Sequence, residues 1–120
     1  MIGSGIFKVQ LENREVRFQF GTLAGVYTEE KSGISIFELF NLINGKSAGS
    51  TRHMLNYFWG AAMAYNEING IDEKITPADV SQWIDEMGIT KTFQIYIDSV
   101  KMPVIKNGKA PKVGPKGVEV

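Results

Sequence analysis

The sequence predicts an α+β fold, with an N-terminal β-hairpin, a bundle of about five helices and a flexible C-terminal tail. Apolar and polar residues alternate along residues 6–11 and 15–20, which is typical of half-buried strands. Between residues 22 and 101 the apolar residues recur every three or four positions, in segments bounded by glycine and proline. Residues 103–120 are rich in Lys, Gly and Pro and have no such period, so we expect one domain over residues 1–102.

The predicted hairpin has one apolar face and a short polar turn at Asn13-Arg14. The residues expected on that face are Phe7, Val9, Leu11, Val16, Phe18 and Phe20. A hairpin alone is marginally stable in water. We therefore expect its apolar face to rest on helices or to pair with another sheet edge.

The first two helices have recognisable ends. The first is predicted to begin at Thr22, as its N-cap, and to end before Gly33. The second is predicted to begin at a capping box of Ser35 and Glu38 and to end at Gly45. Leu23, Val26 and Tyr27 are expected on the inner face of the first helix. The second helix has a wide apolar surface, made by Ile36, Phe37, Leu39, Phe40 and Ile43.

Three further helices follow, at about residues 51–67, from Thr76-Pro77 to Gly88, and at about residues 90–101. Threonine followed by proline is a strong start signal, and glycine ends a helix well. The expected apolar faces are Leu55, Phe58, Trp59 and Ala62; Val80, Trp83, Ile84 and Met87; and Phe93, Tyr96, Ile97 and Val100.

The third helix contains both small and large residues on several sides. Gly60 and the alanines around it allow a neighbouring helix to approach closely. Tyr57, Phe58 and Trp59 are consecutive, and successive side chains lie about 100° apart, so one stripe cannot bury all three. Some of this surface must meet another layer of the same fold or another chain.

Composition excludes several classes of protein. Basic and acidic residues balance at 13 each, so no overall field attracts nucleic acid or anionic lipid. From Lys101 onward there are five lysines and one glutamate, but no aromatic residue lies among them, so a nucleic-acid role is weakly supported. The chain has no cysteine, no secretory signal pattern and no apolar run long enough for a membrane span, so a cytosolic protein is expected.

No catalytic or metal-binding constellation is apparent. His53 is the only histidine and has no partner acid or nucleophile nearby in sequence. A calcium loop around the Asn-Gly turn would place Tyr65 and Thr76 where carboxylates are needed. Gly108 and Gly114 are too far apart for a phosphate-binding loop. We therefore expect no enzyme activity, cofactor or metal. The carboxylates around the fourth helix are expected to be a solvated face, or else an acidic patch for a basic partner.

The pattern resembles the tail assembly chaperones of long-tailed bacteriophages and prophages over about residues 6–100. The hairpin and the junction Phe20-Gly-Thr-Leu23 are similar to the N-terminal half of that family. So are the segments Glu29-Glu-Lys-Ser-Gly33 and Ile36-Phe-Glu-Leu-Phe40. The segment from Ile75-Thr-Pro-Ala-Asp-Val to Trp83-Ile-Asp-Glu-Met-Gly88 is similar to its C-terminal half.

This resemblance implies a protein that binds the helical tape measure protein in the host cytoplasm, keeps it soluble and helps to recruit tail tube subunits. Members are absent from the mature virion, are not enzymes and use no cofactor. In many relatives a ribosomal frameshift extends the C-terminus of some chains. The resemblance does not decide whether the protein forms a homo-oligomer. A structural tail completion or connector protein, or a small adaptor outside phages, are the alternatives.

A chaperone of this kind needs exposed apolar surface that matches amphipathic helices. The helix pair at residues 35–45 and 51–67 is the predicted binding surface. Because aromatic residues dominate such interfaces, the predicted anchors are Phe37, Phe40, Tyr57 and Trp59.

Overall fold

The computed structural model describes residues 5–45 and 49–101, which form a two-stranded antiparallel hairpin followed by five helices. The predicted α+β fold and the order of its elements are confirmed. The elements are β1 (Ile6–Gln10), β2 (Glu15–Gln19), α1 (Thr22–Ser32), α2 (Ile36–Asn44), α3 (Ser50–Ile68), α4 (Pro77–Met87) and α5 (Ile89–Lys101). The predicted tail, residues 103–120, and its boundary with the domain lie outside the described residues.

The hairpin presents one apolar face to the helices, as its alternation predicts. Phe7 pairs with Phe18 and Val9 with Val16, so both pairs lie on the same face. Val16 and Phe18 are fully buried, and the Phe18 ring meets the edge of Phe58 at 5.2 Å between centroids. The hairpin therefore rests on α3, which satisfies its need for a supporting layer.

Helix α3 is the centre of the fold, because β2, α1, α2 and α4 all pack against it. Its three consecutive aromatic residues are distributed among these neighbours. Tyr57 contacts rings of α2 and α5, Phe58 contacts β2, and Trp59 contacts α1. The other layers that this triplet requires are thus supplied by the chain itself. Within the described residues no helix, α3 included, has both the length and the apolarity needed to cross a membrane.

Helix α1 lies unusually close to α3, with Gly60 at the point of contact. A Cβ atom at Gly60 would overlap the side chain of Thr28 and lie 2.8 Å from the carbonyl oxygen of Ala24. Ala24 and Thr28 are buried, and the Thr28 hydroxyl donates a 2.8 Å hydrogen bond to the Ala24 carbonyl. The inner face of α1 is therefore built from small residues. The predicted inner residue Val26 is 44% exposed, so that assignment is wrong.

The helix ends mostly follow their sequence signals. Thr76 caps α4 in a reciprocal capping box with Asp79, and proline occupies the first turn. Gly33 ends α1 in the left-handed conformation at φ 79°, which glycine adopts without strain. The N-cap of α1 is Gly21, however, and the predicted cap Thr22 is the first helical residue.

The cap of α2 differs in part from the predicted capping box. The Ser35 hydroxyl accepts a 3.1 Å hydrogen bond from the backbone NH of Glu38, as expected. The carboxylate at this helix end belongs to Glu29 of α1, which accepts from the NH of Ile36 at 2.8 Å. The carboxylate that caps this end of α2 thus comes from α1, whereas the sequence motif predicted the carboxylate of Glu38.

Replacing Gly60 by alanine should lower the free energy of unfolding by about 1–3 kcal/mol, because the added methyl group pushes α1 away from α3. Gly25→Ala in α1 is the matched control. Nothing lies within 4 Å of a Cβ at Gly25, so this change should raise the stability by about 0.5–1 kcal/mol. Urea denaturation of both variants measures the difference. Equal effects of the two substitutions would contradict the close contact at Gly60.

Candidate partner-binding surface

An apolar groove of about 360 Å³ lies where α4 and α5 face the end of α2 and the start of α3. The apolar side chains that line it include Ile43, Met54, Leu55, Ile84, Phe93 and Ile97. Asp85 is the only charged residue of the lining within the described chain, and the remaining polar groups are hydroxyls and one amide. Such a lining suits apolar side chains accompanied by one basic group.

One wall of the groove is an exposed apolar ridge on α5. Ile89 is 65% exposed, and Phe93 and Ile97 are each 43% exposed. These residues follow one another at intervals of four, so they lie along the same side of the helix. The hydrophobic effect disfavours leaving three large apolar side chains in water, and adjacent exposed residues of this kind are typical of a binding surface.

The ridge divides the predicted apolar face of α5. Tyr96 is buried, whereas Phe93 and Ile97 are exposed. The buried side consists of Thr92, Ile95, Tyr96 and Ser99. Burial of the two hydroxyls costs little because both are satisfied. Thr92 donates to the Gly88 carbonyl at 2.8 Å, and Ser99 donates to the Tyr96 carbonyl at 2.7 Å.

Helix α2, whose end lines the groove, carries two further apolar side chains at or near the surface. Phe37 is 76% exposed, and Phe40 is half-buried. They lie seven and four residues before Asn44, which lines the groove and accepts a 3.0 Å hydrogen bond from the Tyr96 hydroxyl. We call the set Phe37, Phe40, Ile89, Phe93 and Ile97 the docking surface. It contains two of the four anchors predicted from sequence.

Tyr57 lies in the core, with 5% of its surface exposed. Its ring stacks on Phe20 at 4.8 Å between centroids and meets the edges of Phe40 and Tyr96. Its hydroxyl lies 2.7 Å from the Ser99 hydroxyl. Burial raises the pKa of Tyr57 well above its ordinary value, although this hydrogen bond opposes the shift. Tyr57 therefore supports the docking surface from beneath instead of forming part of it.

Trp59 is half-buried and does not line the groove. Its indole NH donates a 2.8 Å hydrogen bond to the Ile75 carbonyl, and the edge of its ring meets Tyr27. The Lys31 ammonium lies 4.5 Å from the ring centroid, in a cation–π contact. These contacts give Trp59 a role in holding α1 and the segment before α4 against α3.

Sequence reasoning missed the ridge residue Ile89 and grouped Phe93 and Ile97 with the buried Tyr96 on one apolar face. Their spacing of four was visible in the sequence. The spacing alone could not decide which of two adjacent sides of α5 is buried, because Thr92 and Ser99 appeared polar.

No protein-family model, curated protein or solved structure matches this chain. The interpretation of the docking surface therefore rests on its own geometry and on the residues that form it.

The stability of the protein should fall as the pH rises above about 10. The tyrosines of the unfolded chain release their protons there, whereas burial keeps Tyr57 protonated in the folded state. The unfolded state is therefore stabilised relative to the folded state, and the free energy of unfolding decreases as the pH rises. Tyr57→Phe should lower the free energy of unfolding at neutral pH by about 0.5–1.5 kcal/mol through loss of the hydroxyl contact. It should also make the alkaline decline shallower.

Urea denaturation near neutral pH and at about pH 11 measures both effects of this substitution. Tyr27→Phe is the comparison for a hydroxyl at the surface, because the pKa of Tyr27 is raised mainly by its hydrogen bond to Glu67. It should make the alkaline decline shallower by less than Tyr57→Phe does. An alkaline decline that is the same in wild type and Tyr57→Phe would contradict the buried position of this hydroxyl.

Proposed function

We propose that this protein is a phage tail assembly chaperone that binds an amphipathic helix of the tape measure protein. In this proposal it keeps the tape measure protein soluble in the host cytoplasm, helps to recruit tail tube subunits and is absent from the mature virion. It works by binding and uses neither catalysis nor a cofactor. The observation that carries the proposal is the part of the docking surface on α5, where the exposed side chains of Ile89, Phe93 and Ile97 line an apolar groove.

The dimensions of the surface suit a short piece of helix. Ile89 and Ile97 are eight residues apart on α5, which corresponds to about 12 Å along the helix, or roughly two turns of a partner helix. Amphipathic helices bind in apolar grooves through residues spaced at three, four and seven positions. Phe37 and Phe93 offer exposed aromatic rings on α2 and α5, and aromatic residues are frequent anchors of such contacts.

A two-turn contact also suits temporary binding. Stable protein interfaces bury about 1,600 Å² in total, which is more than two helical turns can supply. Each copy would thus hold one segment of the tape measure protein weakly, and several copies along a long helix would keep it soluble. The tail tube subunits could then replace them without breaking a strong contact.

Replacing both Phe93 and Ile97 by serine should weaken binding of the tape measure protein at least about tenfold, because two central anchors are lost. The fraction of co-expressed tape measure protein that stays soluble measures this effect. Val26→Ser is the matched control, since Val26 is a similarly exposed apolar residue, at 44%, on α1. Phe37→Ser tests the part of the surface on α2.

Two results would contradict the proposal. One is an unchanged soluble fraction with the Phe93→Ser/Ile97→Ser variant while its circular dichroism and unfolding midpoint match the wild type. The other is recovery of this chain in stoichiometric amounts from purified phage particles. That result would favour a structural tail completion or connector protein.

A further inference from the structure

We propose that α5 is a hinged flap, which swings about Gly88 and so opens and closes the groove while the rest of the described chain stays folded. In the present structure α5 is closed and forms one wall of the groove. This inference goes beyond the proposed function, and its test requires no partner. It rests on the joint before α5, on the contacts that hold α5 closed and on the small apolar surface that α5 buries.

A single glycine joins α4 to α5. α4 ends at Met87 and α5 begins at Ile89, so Gly88 alone lies between the two helices. Its backbone has φ 92° and ψ 155°, a region that is accessible almost only to glycine. The space beside its Cα is open as well, because nothing lies within 4 Å of a Cβ placed there. The dihedral angles of Gly88 can therefore change without a steric clash of a side chain.

The hydrogen bonds on the two sides of Gly88 are compatible with such a rotation. The Gly88 NH donates to the carbonyl of Ile84 at 2.9 Å, on the side of α4. The Gly88 carbonyl accepts from the NH of Thr92 at 3.1 Å and from the Thr92 hydroxyl at 2.8 Å, on the side of α5. The two rotatable backbone bonds of Gly88 lie between its NH and its carbonyl. Rotation about them moves α5 as a unit and breaks none of these hydrogen bonds.

The half of α5 that is distant from Gly88 is held by two hydrogen bonds to neighbouring helices. The Tyr57 and Ser99 hydroxyls lie 2.7 Å apart, and the Tyr96 hydroxyl donates to Asn44 at 3.0 Å. Ser99 is 11 residues from Gly88, or about 17 Å along the helix. A rotation of about 20° at the joint would thus move Ser99 by about 6 Å. Such a movement breaks both hydrogen bonds and widens the groove.

The buried side of α5 contributes little apolar surface. It contains two large side chains, Ile95 and Tyr96, beside the hydroxyl groups of Thr92 and Ser99. Hydrophobic stabilisation is proportional to the apolar area that is buried. α5 is therefore held less firmly than α3, which buries Phe58 completely at the centre of the fold. Elements with few buried apolar contacts open locally, at a lower free energy than the whole chain unfolds.

Hydrogen exchange of the backbone amides, followed by NMR under native conditions, tests for this opening. A detached helix of 13 residues is marginally stable in water, so the amides of α5 become exposed when the flap opens. We expect the amides of Ile95 and Tyr96 to be protected at least about tenfold less than those of Phe58 and Ala61 in α3. Equal protection in the two helices would contradict an opening confined to α5.

Two glycines provide a matched test of the hinge. Gly88 and Gly33 each follow a helix with a positive φ, and nothing lies within 4 Å of a Cβ at either position. Alanine is strained at both, but swinging α5 relieves the strain only at Gly88. Gly88→Ala should therefore lower the protection of the α5 amides at least about fivefold. Gly33→Ala should lower the protection of α3 and leave that of α5 unchanged.

An equal loss of α5 protection in these two variants would overturn the inference, because α5 would then open only when the whole chain unfolds. Two further variants leave the joint intact. Gly60→Ala weakens the contact of α1 with α3, which persists when the flap opens, so it should lower the protection of α3 alone. Ser99→Ala removes the contact with Tyr57 and should lower the protection of α5 by about two- to tenfold.

The same measurement can contradict the flap in two other ways. One is an α5 that exchanges at the wild-type rate in Ser99→Ala, since the contact with Tyr57 would then stay closed during exchange. The other is a Gly60→Ala variant in which α5 loses as much protection as α3. Because no partner is added, none of these results depends on whether the tape measure protein binds.

Discussion

The close contact of α1 with α3 at Gly60 is the constraint on which the rest of the arrangement depends. A side chain at this position would overlap Thr28 and the backbone at Ala24, so only glycine allows the two helices to approach this far. With α1 in place, β2, α2 and α4 cover other sides of α3. The aromatic residues of α3 then pack against these different neighbours, and only the start of this helix lines the groove among the described residues.

Within residues 5–45 and 49–101, nothing covers one apolar side of the last helix. α5 packs on α4 and reaches α3 through the contact between the Tyr57 and Ser99 hydroxyls. Its buried side includes two satisfied hydroxyl groups, and its larger residues Phe93 and Ile97 remain at the surface beside Ile89. Such a distribution weakens the folded monomer relative to burying the larger residues. The exposure of Phe93 and Ile97 is explained if they bind apolar side chains of a partner.

Sequence patterns predicted what depends on local chemistry. The alternation around Phe18 predicted the hairpin, and the Thr76-Pro77 pair predicted the start of α4, because strand period and helix capping involve residues close in sequence. The inner face of α1 was predicted incorrectly in part, and the sequence did not show that the apolar face of α5 is only partly buried. Which side of α1 is buried depends on Gly60 of α3, and which side of α5 is buried depends on the hydrogen bonds of the Thr92 and Ser99 hydroxyls. Phe37 was found as an exposed aromatic residue, but Tyr57 could not be placed without knowing which neighbours surround α3.

The most direct test of the central claim is a methyl NMR titration of the protein with an amphipathic peptide from the tape measure protein. The account predicts saturable shifts of the signals from Ile43, Met54, Ile89 and Ile97, which line the groove. Signals from the hairpin residues Ile6 and Val9 should stay unchanged. Shifts centred on the hairpin or around Trp59, with the groove signals unaffected, would contradict the claim that α5 and the groove form the binding surface.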